Sequence, residues 1–501
     1  MSRLSSNILW NLAGQAVLLA VGLLAVRFVF RQLGADAFGL ILFAQTASFV
    51  LMGVFDLGIS STIVREVAAH FETDRPYLTE LLRTGTSIYW GAYLLLAATV
   101  MVAAPALTNH WVNLQTIDAA SATQLVRLLF LGALLTLPRS LYASLFRGRQ
   151  AMGVNNVIES SALAIQQLGI IVILALGGGV FSVGAWFSAS YLLSVLAYVV
   201  VAARVVPARA LAPGYSATAV RRNLRFSLHM VATSSLGMLF GQSDKVLVSK
   251  LMPIGTLGTY GFAATLVAGV ARVTSSIVLA AFPSFAGLFQ RGDHAALLVQ
   301  YRKVHALVTF GTAPLFAALT FAGLPVLTYV FNGATARMLM APLVVLCIGS
   351  YLNATLSTPY ILSLAVGRPQ IAARQNFLAL FVVLPVGVAL TVWLGLVGAA
   401  ASWLVYHLFA CTYSPPRICR ECLHLPVRTW YGHILKQLGL IAATYGIGFA
   451  FVHDASTGVQ AVAYVAASIA YVGAGLKLVR AELRPVTGES APQRTGRAEA
   501  A

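Results

Sequence analysis

The sequence predicts an all-α, polytopic membrane protein of about fourteen spanning helices, and three observations carry that expectation. Asp, Glu, Lys and Arg make up 10% of the 501 residues and the apolar types 59%, where a soluble domain is about 25% charged. The mean hydropathy is +0.82. The basic residues, which bring the net charge to +18, fall in short gaps between long apolar runs, the topology pattern of a membrane protein. A nucleic-acid partner, the other common reason for such a charge, would want a continuous basic groove.

A spanning helix takes about 20 apolar residues, because about 30 Å of hydrocarbon is crossed at 1.5 Å per residue. Apolar runs of that length occur at 9–30, 37–60, 84–104, 122–145, 157–177 and 183–203. The first is too long for a signal h-region and no small-x-small cleavage site follows it, so it reads as a span. Six more runs lie at 226–248, 258–282, 303–327, 338–362, 376–396 and 397–415, with the cut inside 376–415 uncertain. A final pair lies at 433–452 and 457–478. The expected organisation is an N-terminal lobe (1–203), a basic linker (204–225), a C-terminal lobe (226–415), an additional helix pair (416–478) and a disordered tail (479–501).

Orientation follows from Lys and Arg. With a cytoplasmic N-terminus, about 25 of the 33 basic residues lie inside and about 6 outside. Arg139 and Arg272 fall within spans. Both termini are therefore expected in the cytoplasm, and the helix number is even. The largest external loop, 105–121, is too short to fold alone, so function must reside in the helices. No Gly-x-x-x-x-Gly-Lys-Ser/Thr phosphate loop is present, and no cofactor is expected. Cys419 and Cys422 have CxxC spacing, which fits either a zinc or redox pair or plain reduced thiols. Without a second ligand pair no metal is expected.

The chain repeats weakly. Leu33-Gly34-Ala35-Asp36-Ala37-Phe38-Gly39 precedes the second span and Ile254-Gly255-Thr256-Leu257-Gly258-Thr259-Tyr260-Gly261 the eighth. Each reads as a Gly-rich outside turn ending in aromatic-Gly. The copies are six spans apart, an even number, so the repeat is parallel and gives two pseudo-symmetric six-helix lobes across a cavity.

These segments resemble the polysaccharide transporter branch of the multidrug/oligosaccharidyl-lipid/polysaccharide flippase superfamily, the Wzx-type O-antigen flippases. The resemblance is carried by Arg31-Gln32-Leu33-Gly34-Ala35-Asp36-Ala37-Phe38-Gly39, Asp56-Leu57-Gly58-Ile59, Val64-Arg65-Glu66, Asp244-Lys245, Gly258-Thr259-Tyr260-Gly261 and Ala281-Phe282-Pro283. It covers the first two thirds well, and the last spans by length and number. It implies a two-lobed, non-enzymatic transporter in a bacterial inner membrane, moving an undecaprenyl-diphosphate-linked oligosaccharide outward. Its implied partners are that lipid-linked oligosaccharide, membrane lipids, and a polysaccharide polymerase and chain-length regulator. A cation-driven drug exporter and a membrane-embedded glycosyltransferase or polymerase are the competing readings.

An ionisable group inside a span is costly unless it meets water or a partner. Arg272, deep in the eighth span, is expected either to face the cavity and grip a diphosphate or to pair with a carboxylate such as Asp244. Arg27 and Arg31, four apart, share a face of the first helix and either clasp a phosphate or snorkel to the interface. Lys245, Asn11 and Gln15 complete the candidate binding set. Asn11 and Gln15 form a polar stripe with Asn7, as Asn156, Glu159, Ser160 and Gln167 do in the fifth span; helix contact is as good a reading for both stripes as substrate contact. Asp56, Asp244 and Glu159 are the candidate carboxylates, either coupling sites or structural acceptors. Arg204, Arg209, Arg221, Arg222 and Arg225 either attract anionic lipid headgroups or serve topology alone.

Overall fold

A computed structural model describes the backbone of residues 3–482 and the side chains of 21–227, 237–477 and 479. The described residues are helical, without named strands. The N-terminal half comprises α1 (Arg3–Phe55), α2 (Ile59–His70), α3 (Arg75–Ala106), α4 (Ala119–Ala133), α5 (Thr136–Gly148), α6 (Met152–Ala175) and α7 (Val180–Ala202). A short α8 (Ala208–Leu211) precedes α9 (Ala217–Phe240) and α10 (Ser243–Leu251). Then come α11 (Ile254–Gln290), α12 (His294–Val330), α13 (Gly333–Ala365), α14 (Gln370–Leu394), α15 (Leu396–Ile418), α16 (Val427–Ile441), α17 (Ile447–Val452) and α18 (Thr457–Glu482).

Twelve described helical segments are long and apolar enough to cross a membrane. Their ends exceed the apolar runs: the third span begins at Arg75, not 84. Hydropathy sees only the part in hydrocarbon, whereas helix hydrogen bonding continues into water. Caps then mark the true starts. Asp74 accepts from the Tyr77 amide at 3.1 Å, Asp118 from Ser121 at 2.8 Å, and Asp293 from Ala296 at 2.9 Å.

Three expectations need correction. The second span ends at Phe55 rather than residue 60, because Leu57 and Gly58 have φ of 50° and 69° and break the helix before α2. The seventh begins at Ala217, inside the expected linker, and is interrupted at Gly241–Gln242 between α9 and α10. The two Gly-rich segments are not turns. The first is a kink at Gly34 (φ 85°, ψ 175°) that splits α1 into two arms. The second already forms the opening turns of α11. The 376–415 region divides at Gly395, whose φ of 61° suits glycine.

The first seven helices pack among themselves, chiefly α4 and α6 on α7 and α2 on α5; α11, α12 and α15 pack on α13, and α14 packs on α15. The second arm of α1 runs against α11, joining the halves. Here the glycines have their use. A Cβ on Gly39 would strike the Ile254 carbonyl, one on Gly255 would meet Ala35, and one on Gly258 would meet Phe38 and Gly39. The twin motifs thus face each other, and small residues let the backbones approach, as in membrane helix pairs generally. The final helix α18 lies against α12.

Candidate functional site

The end carrying Gly34, the 107–118 loop and Ile254 is the one the charge distribution puts outside, and is designated the outer end on that ground. Below the crossing at Gly261 and Leu42, one face of α11 is exposed. It carries Thr265, Ala268, Gly269, Arg272, Ser275, Ser276 and Leu279. Arg272 lies at the centre of α11, about 27 Å of helix from either end, and no described residue forms an ion pair or side-chain hydrogen bond with its guanidinium. The stripe itself is small or polar apart from Leu279, and the exposed Val273 and Phe282 flank it. The exposed face of α14, with Phe377, Phe381, Val392 and Trp393, has the composition a lipid-facing surface requires.

The other predicted residues divide. Asp244 is buried and accepts from the Tyr260 hydroxyl at 2.7 Å, with Lys245 Nζ at 3.5 Å. Its partners are therefore Tyr260 and Lys245, not Arg272. Asp56 accepts from Tyr89 and Ser60, tying the end of α1 to α2 and α3. Arg31 is exposed at the outer end of the first arm. Arg27 follows neither expected course: its Nη1 donates to the Tyr329 carbonyl at 2.7 Å and its guanidinium lies 4.2 Å over the Tyr329 ring. It pins α1 to α12. Glu159 is exposed and accepts a long 3.4 Å bond from Tyr198; Asn156 and Ser160 are also exposed. The side chains of Asn7, Asn11 and Gln15, and the tail beyond residue 482, lie outside the described residues.

Two further groups, absent from the expected site, tie the halves together. At the outer end Asp36, buried, accepts from the backbone amides of Gln115, Thr116 and Ile117 at 2.7, 2.6 and 3.3 Å. The same loop reaches the other half. Ile254 N donates to the Asn113 carbonyl at 2.8 Å, Trp111 Nε1 to Ser249 at 3.1 Å, and Lys250 to the His110 carbonyl.

At the opposite end the buried Glu66 accepts from Arg65 Nε at 2.8 Å and Tyr77 at 2.9 Å, with Arg222 at 3.9 Å. Asn223 of α9 accepts from Arg65 and donates to Tyr77. Arg222 lies 4.1 Å over Tyr77, and Thr62 meets Ser227 at 2.8 Å. Farther along, α9 changes sides: Phe240 stacks on Tyr406 and packs with Ala379 and Val383. Asp36 and Glu66 both lie within the motifs that carried the resemblance. Nothing in their local sequence distinguishes a buried acceptor from a surface carboxylate.

The chain is thus a helical membrane protein with an arginine, lacking a partner among the described residues, on an exposed stripe in the middle of a long helix. The chain belongs to the family described as Polysaccharide biosynthesis protein, whose match spans residues 4–289. A Shigella flexneri protein named "Putative O-antigen transporter" is 23% identical over 428 residues, covering 80% of this chain and 94% of that protein. Among solved structures, lipid II flippase MurJ in an inward closed conformation superposes with a TM-score of 0.66 at 13% identity, covering 95% of this chain and 100% of that one. An inward-facing multidrug resistance MATE family transporter of the MOP superfamily gives 0.60 at 16% identity, covering 80% and 94%. At these identities the structural likenesses establish the fold.

Proposed function

We propose that this protein flips an undecaprenyl-diphosphate-linked oligosaccharide from the cytoplasmic to the outer leaflet of a bacterial inner membrane, for surface polysaccharide assembly. The observation that carries the reading is Arg272, exposed and without a described counter-ion at the centre of a spanning helix. A bare guanidinium there needs water or an anion, and a diphosphate offers it a bidentate acceptor. The small stripe around it leaves room for a bulky headgroup, while the tail stays in lipid.

In this reading both termini are cytoplasmic, and the α1–α11 crossing roofs a cleft that opens inward. Arg31 waits near the outer end, where the headgroup would leave. Alternating access follows if the outer strap at Asp36 and the inner tie at Glu66 release in turn. Lys245, held by Asp244, serves the outer half of the fold rather than the headgroup. A polysaccharide polymerase and chain-length regulator would receive the product.

Deleting the gene tests the step: complete lipid-linked units should accumulate unexported. Arg272→Ala, inserted at normal level, should fail to restore export. Normal export by that variant would remove Arg272 from the mechanism, and absence of accumulated units would remove the substrate class.

A further inference from the structure

An arginine on the outer half of a spanning segment runs against the inward bias of positive charge, and Arg127 of α4 is one. It lies about 12 Å of helix below the outer start of α4. Its Nε has a structural task. Pro105 of α3 has no N–H, so the Met101 carbonyl one turn earlier lacks its helical donor. Arg127 Nε takes that place at 3.0 Å. A single bond of this kind needs no charge, and no described residue forms an ion pair with the guanidinium.

Arg127 lines a groove of about 300 Å³ between the end of α3 and the start of α4. Its walls are tied together. The wide π turn Leu107–Trp111 after α3 carries Thr108, whose hydroxyl meets that of Thr123 on α4 at 2.7 Å. Asn109 and Gln124 add exposed side-chain amides that no described residue engages. Ala120, Gln124 and Arg127 follow one face of α4 at helical spacing. Asp118, the carboxylate at the start of α4, caps the helix through the Ser121 amide at 2.8 Å and does not line the groove.

Inward of the groove the surface changes character. Leu95, Ala98 and Val102 are exposed along one face of α3, and the Thr99 hydroxyl among them turns back to the Leu95 carbonyl at 2.8 Å. A cationic, amide-lined recess beside an apolar strip matches an anionic glycerophospholipid. Its phosphate oxygens suit the guanidinium, its glycerol oxygens suit the amides, and one acyl chain covers the strip. An ethanolamine lipid would bring an ammonium to a recess whose lining holds no carboxylate. Free phosphate would leave the strip unused.

The groove also gathers both ends of one loop, Asn109 near the start of 107–118 and Ala119 just past its end. That loop delivers the three amides held by Asp36. We propose that the α3–α4 groove binds an anionic phospholipid of the outer leaflet, and that this lipid braces the outer strap by spanning both ends of its loop. Neither part depends on the identity of the transported substrate.

The test uses full-length protein in detergent, stripped of lipid, and three probes: phosphatidylglycerol, phosphatidylethanolamine and inorganic phosphate. Native mass spectrometry reads lipid retention, and hydrogen exchange reads the amides of Gln115, Thr116 and Ile117. Phosphatidylglycerol should be retained and slow that exchange by about threefold or more. Phosphatidylethanolamine should be held more weakly, and inorganic phosphate should leave exchange unchanged. Gln124→Glu puts a negative charge at an exposed position in the groove and leaves the Arg127–Met101 bond in place. It should weaken phosphatidylglycerol retention about tenfold and erase the slowing, as should Arg127→Gln. Unchanged retention in Gln124→Glu, or equal retention of phosphatidylethanolamine, overturns the site. Equal slowing by inorganic phosphate overturns the lipid assignment, and retention without slowing overturns the brace.

Discussion

The outer strap and the inner tie join the same two halves with different chemistry. At the outer end one carboxylate, Asp36, collects three backbone amides, and most of the remaining bonds use main-chain atoms of the 107–118 loop. At the inner end Glu66 is held by side chains alone, among them Arg65 and Arg222, which are 40% and 46% exposed. Backbone bonds tolerate substitution everywhere except at the acceptor, whereas a charge network depends on each member and on the solution around it. The outer end therefore concentrates its strength in one residue. The inner end spreads it, and salt can weaken it.

Breaking the strap should have the largest effect. Asp36→Ala leaves three part-buried amides without their shared acceptor, a loss of about 3 kcal/mol. It should lower the thermal unfolding midpoint of the solubilised protein by several degrees and abolish export. An unchanged midpoint would mean the loop is not held through Asp36.

The tie should yield less. Glu66→Gln leaves Arg65 and Arg222 without their counter-charge, but both are partly solvated. The loss should be about 1–2 kcal/mol, and it should shrink when the comparison is repeated in high salt. A salt-independent effect would contradict an electrostatic tie.

Arg27→Ala should have the smallest effect, about 1 kcal/mol for one carbonyl bond and one cation–π contact. Export should fall only modestly. Complete loss would return Arg27 to the substrate site and blur the contrast between the two ends.

Much of the fold was legible in the sequence because spanning helices announce themselves by length and hydropathy. The Gly34 and Gly255 motifs were legible as a repeat, though not as a contact, since close approach depends on what lies opposite. Arg272 stood out as a charge inside an apolar run. Asp36 and Glu66 did not, because a carboxylate at the polar end of a helix looks the same whether it faces water or collects amides. Asp244 showed as a carboxylate near a span end, but its partners Tyr260 and Lys245 were visible only once α10 met α11.

Central to the account is that the Arg272 face of α11 borders water between the lobes. Ser276, one turn from Arg272 on that face, offers the most direct measurement. In a protein whose four native cysteines are replaced, Ser276→Cys should react with a charged, membrane-impermeant thiol reagent added at the inner side. Added Glu66→Gln should raise that rate and added Asp36→Ala lower it. Reaction with lipid-soluble reagents alone would put the stripe against the bilayer and contradict the account.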